Sequence, residues 1–407
     1  LEEIYSILGL PYKKARSADE GAQTFPDIAE QPSQFLPQQQ CQATPCAIKT
    51  VENRNMLDLI TRPLRQLSLP AVIGGILALS AGATQAAEEL RLYNWGDYIN
   101  PEVLSRFTAE TGIKVGLDTY GSNEEMLAKL QAGATGYDIV FPSVHMHDTM
   151  AALNLLEKTD INQSPAFKNI DPAYLRAKSD PKGEYCMPYA WGTVGIFYNK
   201  NKVSKPIETW TDFFNEAEAG KKVAMLDDMR EVLAVGLISN GLSVNTTSAD
   251  DLKVAQDWLL ERKPLISAFS YEVVPMVQSG DVVAAQYFVG ALMYVKQDPA
   301  NLTYVIPKEG ATMYQEDMCV LKTAPHKANA KRFMEFFLRP EIASLNTIQQ
   351  TNGTPNAEAL KLLSAELKDN PAANPPAEVK AKLQIFNDLG KDLKKYDRAW
   401  TRVRTAN

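Results

Sequence analysis

From Glu89 onward, short strand-like segments alternate with amphipathic helical ones, and no other feature narrows the possible folds as much. Residues 89–94 (ELRLYN) read as a strand. Residues 101–111 (PEVLSRFTAET) read as a helix with Val103, Leu104 and Phe107 on one face. Residues 114–120 alternate as a strand, and 122–131 form a second helix opened by a capping box, Ser122 with Glu125 three residues on. Residues 137–141 (YDIVF) give a third, buried strand. The order predicts a mainly parallel sheet with right-handed crossovers. It recurs after Gly192: strands at 194–199, 222–227, 282–288 and 302–307, with helices opening at 209–214 and spanning 230–241, the latter ended by Gly241. A run of helices follows, including 326–340, where Ala330, Phe333, Phe336 and Phe337 share a face. The pattern predicts two α/β lobes of similar size. Open α/β sheets bind ligands beyond their strand ends, so the expected site is a cleft between the lobes.

The stretch before this pattern has a different character. From Met56, Arg62 and Arg65 precede an apolar run at 67–79, and the small residues Ala81, Ala83, Thr84 and Ala86 follow. That is the order of parts in a secretory signal peptide, expected over 56–86 with cleavage near Ala86. About a dozen apolar residues are too few to span a bilayer, which needs about 20. No cysteine sits near the cleavage region, which argues against a lipid anchor, and no twin-arginine pair is present. Residues 1–55, rich in Pro, Gln and Ser, are expected to be an upstream extension, either disordered or the product of a mis-assigned start. The mature protein is then expected to be extracytoplasmic, with no other segment long enough to span a membrane.

The 407 residues carry 49 acidic and 42 basic side chains, a net charge of -7. Nucleic acid is disfavoured as a partner, because phosphate binding needs a basic footprint. Beyond the leader only Cys186 and Cys319 remain, and pairing or separate burial as small apolar side chains are both open.

Three places could hold chemistry. Asn94-Trp95-Gly96-Asp97-Tyr98 follows the first strand, and two aromatic rings flanking a carboxylate suit a cation. Asp228 and Glu231 sit at a strand-to-helix junction with capping-box spacing, and can also turn an oxygen into the cleft. Glu316-Asp317 follows the return crossover. His145 and His147 have an H-x-H spacing, but side chains at i and i+2 of a helix point apart, and no CxxC or HExxH motif is present. Without a G-x-S-x-G, Walker A or strand-linked G-x-G-x-x-G motif, the expectation is no enzyme, no cofactor and no metal.

Asn94 to Tyr98, with FTAETGIKV (107–115), YGSNEEMLAKL (120–130), CMPYAWGTVGI (186–196), DDMREV (227–232), IPKEGA (306–311), FLRPEIA (337–343) and RAWTRVRT (398–405), resembles the spermidine- and putrescine-binding periplasmic proteins of ABC transporters. The resemblance covers nearly all of residues 88–407. It implies a type II periplasmic binding protein, α/β and two-lobed, with crossovers near 194–196 and 313–315. Lobe 1 would comprise 88–193 plus 315–384, and lobe 2 197–313 plus 388–407. It implies Trp95 and Tyr98 as ring walls, Asp97 as a direct or water-mediated contact, Ser143 and His145 as ligand contacts, and Asp228 and Glu231 facing the ligand from the second lobe. Asp317 would grip one ammonium.

Several positions depart from the family pattern: Gly96 for a hydroxyl residue, Phe288 for a tryptophan, Ala291 for an aspartate, Gln315 for an aromatic and Asn352 near a tyrosine. One cation-holding pole is therefore altered, and an unpaired ammonium in a dry cleft costs several kcal/mol. The expected ligand is a small cationic polyamine, with agmatine, a monoamine or a longer polyamine as alternatives. The expected partner is an inner-membrane ABC permease, or alternatively a membrane sensor.

Overall fold

A computed structural model describes residues 88–406. The leader and the segment before it lie outside the described residues. The strands are β1 (Glu89–Trp95), β2 (Lys114–Tyr120), β3 (Ile139–Val140), β4 (Cys186–Asn199), β5 (Val223–Met225), β6 (Ile266–Phe269), β7 (Ala284–Phe288), β8 (Leu302–Val305), β9 (Ala311–Val320) and β10 (Leu383–Ile385). The sheet order is β2-β1-β3-β9-β4-β7-β5-β6, with β10 beside β9 and β8 beside β4. β1 pairs in parallel with β2 and β3, and β5 with β6 and β7, while β9 and β4 run antiparallel to their sheet neighbours along this order. The sheet is therefore mixed: two parallel wings joined by a long antiparallel pair.

Helices cover the wings. α1 (Pro101–Thr111) is capped by Asn100, whose side chain accepts from the Glu102 amide, and ends at Gly112 in the left-handed region. α2 (Asn123–Gln131) starts from the expected Ser122 cap, its hydroxyl accepting from the Glu125 amide. α3 (Val144–Ala152) follows β3. In the second wing, α4 (Trp210–Glu218) is capped by Thr209 and α5 (Met229–Ser239) by Asp228. The expected helix over 326–340 is α6 (Lys327–Phe337); Pro340 lacks the amide needed to continue it and instead opens a further helix, α7 (Pro340–Gln350).

Burial divides along the same line. One core gathers Leu90, Leu92, Phe107, Phe141, Met318 and Phe333, with Phe107 edge-on to Phe333 and Phe336 at 5.0 and 5.3 Å between ring centroids. Each such buried ring contributes roughly 1.5–3 kcal/mol. The other wing packs around Ile196, Trp210, Phe213, Val232 and Tyr396, with a neighbouring cluster around Phe197, Val277 and Tyr304. β4 contributes to both sides: Cys186 to Ala190 enter the first core, and Ile196 and Tyr198 the second. Ala372 and Ala373 pack in the second lobe's apolar cluster, so the chain after α7 crosses back before β10 joins β9. Cys186 and Cys319 face each other in the β4–β9 ladder and form a disulfide. Among the described residues, no helix is long and apolar enough to cross a membrane.

The β4 backbone is tightly covered. A Cβ at Gly195 would run into the Val305 carbonyl of β8 and the Tyr304 ring. Gly195→Ala should therefore cost roughly 1–3 kcal/mol from overpacking, read as a lower midpoint in urea unfolding. An unchanged midpoint would show that β8 gives way freely.

Candidate functional site

The loop after β1 is set by Asn94, whose side-chain oxygen accepts from the Trp95 amide at 2.8 Å. The Trp95 indole donates to the Phe141 carbonyl at 2.9 Å and leans on Tyr120, with ring centroids 4.7 Å apart. Asp97 adopts φ 52°, a left-handed conformation that Asp tolerates better than most residues, and its side chain is exposed. Its carbonyl is pinned by the Gln350 side-chain amide at 2.9 Å. Open space surrounds the missing Cβ of Gly96.

This turn brings Tyr98 to β9. The Tyr98 hydroxyl donates to Glu316 Oε2 at 2.7 Å, and the Ser143 hydroxyl donates to Glu316 Oε1 at 3.2 Å. Ser143 stands at the N-cap of α3, yet makes no side-chain cap bond. Asn123 holds it instead, donating to its hydroxyl at 3.0 Å and accepting from its amide at 3.2 Å. Asn352 donates to the Tyr98 oxygen at 3.3 Å, and its own side-chain oxygen is buried without a partner. Glu316 is 5% exposed and forms no ion pair with a Lys, Arg or His among the described residues. Burial pushes its carboxyl up to about 8, against the lowering effect of the two hydroxyl donors. Burial, then Glu316, raises the Tyr98 phenol well above its usual range and keeps it a donor.

A second acidic pole lies at the start of α5. Asp228 Oδ1 accepts from the Arg230 and Glu231 amides at 2.8 and 2.9 Å, and its other oxygen accepts from the Tyr271 hydroxyl at 2.9 Å. Asp228 is thus both a cap and a member of the cluster. Glu231, also 5% exposed, accepts from the Thr312 hydroxyl at 2.5 Å. Burial, then Asp228, pushes its carboxyl up to about 8. Arg230 gives it no ion pair. That guanidinium lies over the rings of Phe386 and Tyr396, at 4.3 and 4.8 Å, and donates to the Val244 carbonyl and Asn245.

β9 links the poles. Its side chains alternate, so Thr312, Tyr314 and Glu316 share one face, and Gln315 and Asp317 take the other. On the first face Tyr314 meets Phe288 edge-on, with centroids 5.7 Å apart. On the second, Gln315 donates to the Tyr174 carbonyl and to Asp317, and Asp317 bonds His147 at 2.8 Å. Asp317 and Gln315 therefore stand on the face away from Tyr98 and Glu231, and Glu316 and Tyr314 stand on the face turned toward them. A shift of one residue along a strand reverses the face, and two adjacent acids carry no signal to choose between them. Ala291 is buried in the second lobe's apolar cluster. The His145 ring sits edge-on to Phe386 at 6.3 Å, and burial pushes it down to about 4. The structure thus gathers Tyr98, Ser143, Asp228, Glu231 and Phe288 around this face of β9, with Trp95 and Gly96-Asp97 on the adjoining loop. It adds Glu316, Tyr314, Thr312 and Tyr271. A separate hollow of about 340 Å³ lies near the start of β1, between Arg91, Asp118 and His326, and shares none of these residues.

Two α/β wings thus share the β4–β9 pair, with acids and rings gathered along one face of it. The sequence matches the model of the family described as bacterial extracellular solute-binding protein over residues 102–375, and the chain belongs to that family. It is 35% identical to the putrescine-binding periplasmic protein PotF of Escherichia coli, over 82% of this chain and 96% of that one. It is 33% identical to the putrescine/agmatine-binding protein of Pseudomonas aeruginosa, over 84% and 98%. Among solved structures, a putative spermidine/putrescine ABC transporter protein from Listeria monocytogenes superposes with a TM-score of 0.72 at 33% identity, covering 79% of this chain and all of that one.

The raised carboxyls predict a pH dependence. Each binds its proton more tightly in this fold than at its ordinary value of 4.5, so their contribution to stability is full below about pH 4.5 and is lost as pH rises towards about 8. Without ligand, the melting temperature should fall across that window. The double variant Glu231→Gln, Glu316→Gln should flatten the fall, and an unaltered slope in the variant would count against the assignment.

Proposed function

We propose that this chain captures a polyamine-like cation outside the inner membrane and presents it to the permease of an ABC importer. The observation that carries the reading is a pair of buried carboxyls, Glu231 and Glu316, with no ion-pair partner among the described residues. Such groups are costly to ionise when dry and gain most from an arriving ammonium. Tyr98, Tyr314 and Phe288 flank them with ring faces and edges suited to a methylene chain carrying positive ends. The relatives named for putrescine, agmatine and spermidine support the same class.

Both acids are nearly closed to solvent, so entry requires the lobes to part. Bound cation then stabilises the closed form through contacts with both poles, and this differential affinity drives the closure. The hinge would be the β4–β9 pair, the strands common to both wings. Thr312, which touches Glu231, and Glu316 are four residues apart on β9, about 13 Å at ~3.3 Å per residue. An extended triamine matches that span more fully than a four-carbon diamine. Secretion through the 56–86 leader with cleavage near Ala86 belongs to this reading, as does a monomeric state, and sequencing the N-terminus of the exported protein checks the cleavage.

Calorimetry with putrescine, agmatine and spermidine tests the proposal. At least one should bind at micromolar or lower Kd, the triamine most tightly, and flat titrations throughout would end it. Glu316→Ala should weaken binding by roughly 2–5 kcal/mol, the usual penalty for unpairing a buried charge. Asp317→Asn should change it far less, and the reverse order would return the ammonium contact to Asp317.

A further inference from the structure

On the face of β9 turned away from the cleft, His147, Cys186 and Cys319 place one ring nitrogen and two sulfurs within 4.8 Å of one another, all buried. The sulfurs are joined as a disulfide. The imidazole is 2% exposed and anchored at one end, its Nδ1 lying 2.8 Å from Asp317 Oδ2. Its other nitrogen, Nε2, has no hydrogen-bond partner. Asp180 Oδ2 stands 4.0 Å from Nε2 and accepts from the Tyr185 and Cys186 amides. A buried imidazole nitrogen without a partner is costly, and the cleft chemistry makes no use of it.

We propose that these three residues form a binding site for zinc or a similar thiophilic divalent cation when the disulfide is reduced. The ligand types suit such an ion, and a tetrahedral zinc site needs donor atoms about 3.5–3.8 Å apart, so once the disulfide is reduced the sulfurs part from bonding distance while the ring nitrogen closes by up to about an ångström. A carboxylate on the far nitrogen of a ligating histidine fixes its tautomer and its aim, and Asp317 holds that position. The chemistry balances in two steps. A dithiol reductant transfers two electrons and two protons to the disulfide and becomes a disulfide itself. The cation then displaces the two thiol protons, with Nε2 as the third ligand and the fourth position open to water near Asp180. His145 takes no part, because it points to Phe386 instead.

The test uses the full chain with Cys41 and Cys46 changed to Ser, reduced with a dithiol and separated from it, then titrated with Co²⁺. A thiolate-to-cobalt absorption band saturating at one ion per chain, together with intense tetrahedral visible bands, is expected in reduced protein and absent in oxidised protein. Zn²⁺ should displace the cobalt. Asp317→Asn should weaken cobalt binding about 10–100-fold, the usual effect of losing such a supporting contact. His147→Ala should abolish the tetrahedral bands. If reduction alone unfolds the chain, refolding on addition of Zn²⁺ supports the site and failure to refold overturns it. Reduced, folded protein without the band, or a band indifferent to His147→Ala, also overturns it.

Discussion

Two carboxyl groups buried without a cation to balance them set the terms for the rest of this molecule. Neither Glu231 nor Glu316 lies within ion-pair distance of a Lys or Arg among the described residues, and the nearest arginine in sequence, Arg230, is drawn off by Phe386, Tyr396 and backbone carbonyls. Hydroxyl donors from Tyr98, Ser143 and Thr312 hold the carboxyls in place without neutralising them. The arrangement is poised between two ways of cancelling charge, a proton or a bound cation. Binding a cation therefore displaces protons, and affinity and pH are linked through the same two side chains.

The fold supplies the placement. The first lobe contributes the turn after β1 and the cap of α3, the second contributes the cap of α5, and β9 lays Thr312, Tyr314 and Glu316 in a row between them. Ser143 and Asp228 illustrate two uses of a helix start. Ser143 gives up its capping bond to reach Glu316, whereas Asp228 caps with one oxygen and meets Tyr271 with the other.

The alternating strands and helices of the first lobe were legible in the sequence, down to the Ser122 cap and the Asn94–Tyr98 turn. The long strands were less so. β4 is buried along its whole length, and β9 nearly so, and strands covered on both faces lose the alternation that marks a half-exposed strand. That loss hid the choice between Glu316 and Asp317, since only the direction of each side chain separates two neighbouring acids. Tyr271 and Thr312 carried no sequence signal at all: they matter because distant segments bring them to Asp228 and Glu231. Cys186 and Cys319, whose pairing was open on sequence alone, meet because the β4–β9 register places them opposite each other.

Gly192 lies directly behind an aromatic ring of the cleft face. The Tyr314 ring lies where a Cβ of Gly192 would be. The depth of the groove at Tyr314 is therefore dictated by main chain, with that ring resting directly on it. Selectivity is then free to drift through exchanges at the acidic ends, such as Glu for Asp, while the floor stays level. Descendants of one ancestral scaffold could thereby acquire new cargoes without rebuilding the hinge.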